Sequence, residues 1–98
     1  MTKQEALKIL ESNKARLREF HVSSLSLFGS VVRDEAEPGS DIDILVEFDK
    51  DARVGLFELV RLRAYLSEIL KADADLVTPD ALHPMLRDDI MQEAIRAA

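Results

Sequence analysis

The sequence lacks cysteine throughout its 98 residues, which excludes disulfide bonds and cysteine-ligated zinc sites. It also lacks any apolar run near the ~20 residues that a membrane-spanning helix needs. The opening segment, residues 1–5, leads into a charged stretch instead of the apolar core of a signal peptide. From these absences we expect a soluble cytoplasmic protein that does not contact a membrane.

Positive charge is scarce as well. The chain carries 13 Lys and Arg residues against 19 Asp and Glu residues, a formal net charge of −6. Binding to a long polyanion requires a Lys/Arg stripe, so this balance argues against direct nucleic-acid binding. A small anion escorted by Mg²⁺ suits an acidic chain better, because the ion bridges carboxylate and phosphate oxygens.

What the chain does contain is enough apolar material for one core. Hydrophobic residues make up 47% of the sequence, and the length predicts a single domain over residues 1–98. A domain of this size buries a modest fraction of its surface. We therefore expect exposed apolar surface and a partner that covers it.

Helical and strand patterns alternate along the sequence. Thr2 and Glu5 form a capping box ahead of the first helical pattern. Apolar spacing and turn residues then predict the order α-β-α-β-α-β-α, an α/β (α+β) fold with a small mixed β-sheet of three or more strands packed against helices. The expected segments are a helix over 3–20, a strand over 22–28, a short helix or turn over 31–35, a turn over 37–40, a strand over 41–48, a helix over 56–70, a strand over 73–78 and a helix over 85–97.

The strand over 41–48 carries acids on one face. Asp41 and Asp43 lie two residues apart, so their side chains point to the same side with Cβ atoms roughly 6–7 Å apart. On its own this pattern is more often a solvated strand face. Here the opposite face is apolar and Leu45 interrupts the acidic one, which indicates a partly covered strand where like charges repel unless a cation neutralises them.

Gly29 and Ser30 follow the strand over 22–28 and precede a short helix or turn. Glycine lets the backbone approach a phosphate group, and N–H groups at a helix start attract anions. On its own the pair is more typical of an ordinary strand-to-helix turn in which Ser30 is the N-cap. Arg33, three residues on, could reach a triphosphate or form a surface salt bridge with Asp34 or Glu37.

A third carboxylate is expected from the strand over 73–78. Asp75 and Asp73 share one face of that strand, and the pattern alone does not choose between them. Glu47 shares the acidic face of the preceding strand but lies too far along it to join the same site.

Taken together, these residues resemble the signature of the DNA polymerase beta-like nucleotidyltransferases, and specifically their minimal (MNT) branch, many of whose members are antitoxins paired with a HEPN toxin. The resemblance rests on Leu27-Phe28-Gly29-Ser30-Val31-Val32-Arg33, on Ser40-Asp41-Ile42-Asp43-Ile44-Leu45-Val46 and on Ala74-Asp75-Leu76-Val77-Thr78-Pro79. It implies a nucleotidyltransferase-like fold over nearly the whole chain.

The resemblance also implies roles for six residues. Asp41, Asp43 and Asp75 would be the catalytic acids that hold two Mg²⁺ ions, with Asp75 beside the attacking hydroxyl. Gly29, Ser30 and Arg33 would hold the phosphates of ATP. The implied activity is transfer of AMP to a tyrosine of a HEPN ribonuclease toxin, which silences it.

Two alternatives stay open at this stage. The chain could silence its toxin by covering it with little or no catalysis, or it could modify a small molecule. Val32 and Asp34 stand where the family commonly has small residues, and Asp34 adds negative charge near the phosphate site. The sequence also leaves the oligomeric state open, a homo-oligomer included.

Overall fold

The structure of the chain is a computed structural model that describes residues 1–35, 37 and 39–98. In chain order its helices and strands are α1 (Lys3–Ser12), α2 (Lys14–Glu19), β1 (Val22–Phe28), β2 (Ile42–Phe48), α3 (Leu56–Leu70), β3 (Ala74–Val77), α4 (Pro84–Glu93) and β4 (Ile95–Arg96). Two 3₁₀ turns, Gly29–Val31 and Pro79–Ala81, follow β1 and β3.

The strands form one mixed four-stranded sheet in the order β3-β2-β1-β4. β1 runs antiparallel to both β2 and β4, whereas β2 and β3 are parallel. The parallel pair is joined by α3, which is the crossover helix that such a pair requires. The expected fold class, a small mixed sheet with helices, is confirmed.

The core lies between the sheet and helices α1 and α3. Leu62, Leu66 and Leu70 recur at helical spacing on α3 and are fully buried. From the sheet, the alternate residues of β2 and β1 face them, which is the period of two expected of strands with one covered face. The buried core cluster comprises Ala6, Leu10, Leu17, Val22, Leu25, Leu27, Val31, Ile42, Ile44, Val46, Leu62, Leu66, Leu70 and Ala74.

The prediction of one unbroken helix over 3–20 is wrong, because the helix breaks at Asn13 between α1 and α2. The Asn13 side chain donates to the Ile9 carbonyl (2.7 Å) and accepts from the Tyr65 hydroxyl (2.9 Å). Asparagine side chains compete with backbone groups for such bonds, and Asn13 leaves helical geometry at φ −107°, ψ 17°. The break thereby ties α1 to α3 through a tertiary hydrogen bond.

The prediction that the last helix reaches Ala97 is also wrong. α4 ends at Glu93, and Ile95–Arg96 instead form β4 beside β1. Leu25 donates to the Ala98 carbonyl (3.0 Å) and accepts from the Ala97 amide (2.8 Å). These bonds satisfy backbone groups of β1 that would otherwise lie unpaired at the sheet edge.

The segment between β1 and β2 differs in detail from expectation. The short helix or turn predicted over 31–35 is present as a turn over 32–34 that continues the 3₁₀ turn begun at Gly29, and Asp34 adopts a left-handed φ of 56°. The predicted turn over 37–40 is consistent with a bond from the Ser40 amide to the Glu37 carbonyl (3.0 Å), while Pro38 lies outside the described residues. Within the described part of the chain, no helix has the length and apolarity to cross a membrane.

Candidate functional site

Two acids meet where β2 and β3 run side by side. Asp43 lies directly opposite Asp75 in the parallel register, so neighbouring strands present both carboxylates at one place. Asp43 is half-buried and Asp75 is exposed. Burial raises the pKa of Asp43 above its ordinary 3.8, and the charge and hydrogen-bonding contact of the Asp75 carboxyl group raise it further.

Asp41 completes the acidic edge. It lies one residue before β2, is exposed, and its negative charge contributes to the raised pKa of Asp43. Asp41 and Asp75 also line the same surface cleft. The structure therefore pairs Asp43 with Asp75 across the two strands and leaves Asp41 at the border of the same edge.

The two acids weighed against this group lie elsewhere. Asp73 stands before β3 begins, and its carbonyl accepts a bond from the Ile42 amide (2.9 Å). The register therefore places Asp75, and not Asp73, opposite Asp43. Glu47 is exposed further along β2 and borders a different cavity beside Arg87.

Gly29 is held against the acidic edge by its backbone. Its φ of +75° lies in the left-handed region that glycine tolerates. A Cβ at this position would stand 2.2 Å from Asp43 Oδ2 and 3.1 Å from Asp43 Cγ, so no larger residue fits without displacing the carboxylate. This close approach connects the Gly-Ser and Asp-x-Asp motifs, which are distant in sequence.

Ser30 lies in the middle of the same 3₁₀ turn and is half-buried. The N-cap of that turn is Phe28, and the Ser30 hydroxyl forms no hydrogen bond with the described residues. The interpretation of Ser30 as a structural cap is therefore wrong. The hydroxyl lies one residue from the Gly29 backbone that touches Asp43.

Arg33 forms ion pairs with Glu35 (Nε–Oε2 3.1 Å) and with Glu93 at the end of α4. The hydrogen bond to Glu35 and the charge of Glu93 raise its pKa. The suggested partners Asp34 and Glu37 are not the ones it contacts. The charge of Arg33 nevertheless lowers the pKa of Asp43, which places the guanidinium within electrostatic reach of the acids.

The donor set of this edge fits Mg²⁺. The ion prefers oxygen ligands and usually takes one or two carboxylates, with phosphates and waters filling the remaining positions. Among the described residues, no group of three or more His, Cys, Asp or Glu side chains is arranged to hold a metal ion, so phosphate and water oxygens would have to complete the ligand set of the Asp43–Asp75 pair. Burial first, and then the charges of Asp75 and Asp41, raise the pKa of Asp43 in spite of the opposing charge of Arg33, and a bound cation would stabilise its ionised form.

Comparison with known proteins places this site in a family. The model of the family described as "Nucleotidyltransferase domain" matches residues 6–97 of the chain. The chain belongs to this nucleotidyltransferase family. The expected family and the expected enzyme class are both confirmed.

Two relatives extend the match. A Methanocaldococcus jannaschii protein provisionally named a protein adenylyltransferase is 45% identical to this nucleotidyltransferase over 74 residues, which span 76% of this chain and 77% of the relative. The protein adenylyltransferase MntA of Thermococcus cleftensis is 35% identical over 96 residues, covering 97% of this chain and 95% of the relative.

Solved structures agree on the fold. A provisionally assigned minimal nucleotidyltransferase superposes with a TM-score of 0.81 at 30% identity, covering 97% of this chain and 95% of that one. A chain in the complex of tri-AMPylated Shewanella oneidensis HEPN toxin with MNT antitoxin superposes with a TM-score of 0.64 at 21% identity, covering 94% and 71%. At that identity the second likeness is one of fold.

Sequence reasoning missed one side of the site. Leu59, Val60 and Arg63 were not singled out as site residues, and Leu76 appeared only within the motif around Asp75. These four residues line the cleft that contains Asp41 and Asp75. The spacing of Val60 and Arg63, three apart on α3, would have indicated a shared helix face, but nothing in the sequence shows that this face borders β3.

Proposed function

We propose that this nucleotidyltransferase transfers AMP from ATP to a tyrosine of a HEPN ribonuclease toxin and thereby acts as its antitoxin. The observation that carries the proposal is the register of Asp43 opposite Asp75, with the Gly29 backbone held against Asp43. The protein adenylyltransferase relatives support the choice of AMP and of a protein acceptor. The fold shared with a chain of the HEPN–MNT complex supports the class of partner.

Six residues divide the work of binding. Asp41, Asp43 and Asp75 would hold two Mg²⁺ ions, and Gly29, Ser30 and Arg33 would hold the phosphates of ATP. When bound, such ions stabilise the charge on the attacking and leaving oxygens of an in-line displacement. The Ser30 hydroxyl, which has no hydrogen-bond partner among the described residues, and the Gly29 backbone, which no Cβ shields, are suited to a phosphate oxygen.

The transfer itself exchanges one bond for another. The tyrosine oxygen forms a bond to the α-phosphorus of ATP, the bond from that phosphorus to the bridging oxygen breaks, and pyrophosphate leaves with the electron pair. The hydroxyl proton must go to a base within hydrogen-bond reach. Asp75 suits this role because it is the more exposed of the two facing acids and stands on the outer strand β3.

Arg33 has to change partners during binding. In the free protein its guanidinium is occupied by Glu35 and Glu93. All three side chains lie near the surface, where solvent screens ion pairs and they contribute little. A triphosphate can therefore displace these carboxylates at small cost.

One observation favours a second candidate function, silencing by coverage alone. Helix α4 has no buried residue, and Met85 and Leu86 are 81% and 57% exposed. Exposed apolar side chains on a loosely packed helix are typical of a protein interface. Coverage of a partner needs such a surface but has no use for three acids at one sheet edge.

The decisive experiment pairs the double variant Asp41→Asn, Asp43→Asn with the control Glu47→Gln. Asn keeps the shape of Asp without its charge, so the metal ions lose their main attraction. Expression beside the HEPN toxin should show AMP mass on the toxin and rescue of growth with wild type and control, and neither with the double variant. Full rescue by the double variant, with no AMP mass on the toxin even beside wild type, would overturn catalysis in favour of coverage.

A further inference from the structure

A small cleft opens between α3 and the outer strand β3, directly beside the acidic edge. Its volume is about 270 Å³. Its lining combines apolar side chains, two acids and one cation: Leu59, Val60, Leu76, Asp41, Asp75 and Arg63. We propose that this cleft is the acceptor subsite, which takes the phenol side chain of a tyrosine presented by the protein partner; the inference rests on the proposed function.

The cleft is small for a ligand site. Sites for small-molecule ligands run from roughly 300 to 1,000 Å³. At about 270 Å³ the cleft lies at the lower limit of that range. We therefore assign it to one side chain of the acceptor, and occupation by the nucleotide is one of the outcomes of the test below.

The chemistry of the lining selects among side chains. Leu59, Val60 and Leu76 offer an apolar wall, whereas Asp41 and Asp75 offer hydrogen-bond acceptors at the edge where the transfer takes place. A phenol has an apolar ring and one hydroxyl at its end, so it satisfies both parts of the lining. A serine hydroxyl would leave the apolar wall uncovered.

Arg63 sets the charge of the cleft. Its Nε–H donates to the Ala74 carbonyl (2.9 Å), which holds the guanidinium beside the residue that precedes Asp75. It is the cation of the lining and offsets the two acids. Because its charges partly offset one another, the cleft is suited to a neutral phenol.

The topology places the cleft on the correct side of the acids. Gly29 follows β1 and contacts Asp43 from one side, whereas the cleft lies at β3, and the strand order is β3-β2-β1. The phosphate-binding turn and the cleft thus flank the acids from opposite directions. Phosphoryl transfer requires attacking and leaving oxygens roughly in line, on opposite sides of the phosphorus.

An exposed apolar stripe leads into the cleft along α3. Leu56, Phe57 and Val60 are 75%, 85% and 55% exposed, and Val60 belongs to both the stripe and the cleft. Positions three and four apart share a helix face, so the three residues form one continuous surface. A partner segment that inserts its tyrosine into the cleft would pack its flanking residues on this stripe.

The test fills the cleft without touching the acids or the phosphate turn. Val60→Trp adds an indole where a phenol would lie, and Lys8→Trp is the control because Lys8 is exposed on α1 and lines no part of the cleft. N-acetyl-tyrosinamide is titrated into methyl-labelled protein, with N-acetyl-serinamide as the comparison. Calorimetry measures the affinity of each variant for Mg-ATP. An assay with a purified HEPN partner measures the rate of AMP transfer.

We expect saturable shifts of the Leu59, Val60 and Leu76 methyl signals with the tyrosine probe. These shifts should persist in Lys8→Trp but vanish at Leu59 and Leu76 in Val60→Trp. Val60→Trp should leave Mg-ATP affinity within about twofold and reduce AMP transfer roughly 10–200-fold, the effect of a lost or gained side-chain fit in an apolar pocket. Tyrosine-specific shifts without any AMP transfer by wild type would contradict the proposed function and leave the subsite standing.

Three outcomes would overturn the subsite. Transfer by Val60→Trp at the wild-type rate would show that the acceptor enters elsewhere. A loss of Mg-ATP affinity in Val60→Trp would show that the nucleotide occupies the cleft. Equal shifts with the serine and tyrosine probes, or none with either, would show that the cleft does not recognise a phenol.

Discussion

The two faces of β2 contrast sharply although they belong to the same seven residues. On the core face, Ile42, Ile44 and Val46 are 2%, 0% and 0% exposed. On the other face, half-buried Asp43 and exposed Glu47 flank the buried Leu45. The core face contributes stability through apolar burial, whereas the acidic face holds like charges whose repulsion opposes folding.

The contrast shows how so small a fold carries a charged site. Asp43 faces Asp75 across the strand pair and lies against the Gly29 backbone. Burial of the Asp43 carboxylate, and the neighbouring charges of Asp75 and Asp41, raise its pKa. The apolar face must therefore offset the cost of the acidic one.

The largest test of this division is Ile44→Ala against Glu47→Ala. Ile44 is fully buried at the centre of the core face, and truncation of such a residue costs about 2–5 kcal/mol of unfolding free energy. Glu47 is exposed on the other face, where substitutions usually stay within about 0.5 kcal/mol. Urea denaturation of both variants measures the difference. Similar losses of unfolding free energy would mean that the core face does not contribute more stability than the acidic face.

A second, smaller effect is expected from replacing glycines at positive φ, where the strain of the backbone can be separated from contact with the acidic site. Gly29→Ala and Gly39→Ala both place a Cβ at positive φ, which costs about 1–2 kcal/mol. At Gly29 the new Cβ also meets Asp43 Oδ2, whereas at Gly39 no atom of the described residues lies within 4 Å of the new Cβ. We expect Gly29→Ala to lose more stability than Gly39→Ala and to lose Mg-ATP binding, which Gly39→Ala should retain. Urea denaturation measures the stability and calorimetry measures the binding. If the two variants behave alike, the contact between Gly29 and the Asp43 carboxylate does not matter for either property.

The smallest effect concerns charge on the acidic face. Because folding raises the pKa of Asp43 above 3.8, its ionisation weakens the fold, and this cost appears as pH rises through the folded-state pKa. Asp43→Asn should therefore raise the Tm of the metal-free protein at pH 7. The gain should shrink as pH falls towards 3.8 and below, where wild-type Asp43 is protonated too. Thermal scans in EDTA across this range measure it, and a lower Tm at pH 7 would contradict the repulsion.

Much of the fold was predictable because its signals are local. The α3 boundaries, Leu56–Leu70, follow directly from apolar spacing, and β1 and most of β2 follow from alternation and the neighbouring turn residues. Asn13 and the C-terminal residues were mispredicted because their outcome depends on distant partners. Asn13 bonds to Tyr65, and residues 97 and 98 bond to Leu25, neither of which a local pattern can show.

The sequence by itself determined the acidic face of β2, because strand side chains alternate and Asp41 and Asp43 are two residues apart. It also determined that a glycine and a serine follow β1, and hence the family. Only the tertiary structure decided that Asp75 instead of Asp73 faces Asp43 and that Gly29 touches the Asp43 carboxylate. It alone also decided that α3 and β3 border a cleft lined by Asp41 and Asp75. Strand register and close backbone approach arise from packing between segments far apart in the chain, and no local pattern of residues encodes them.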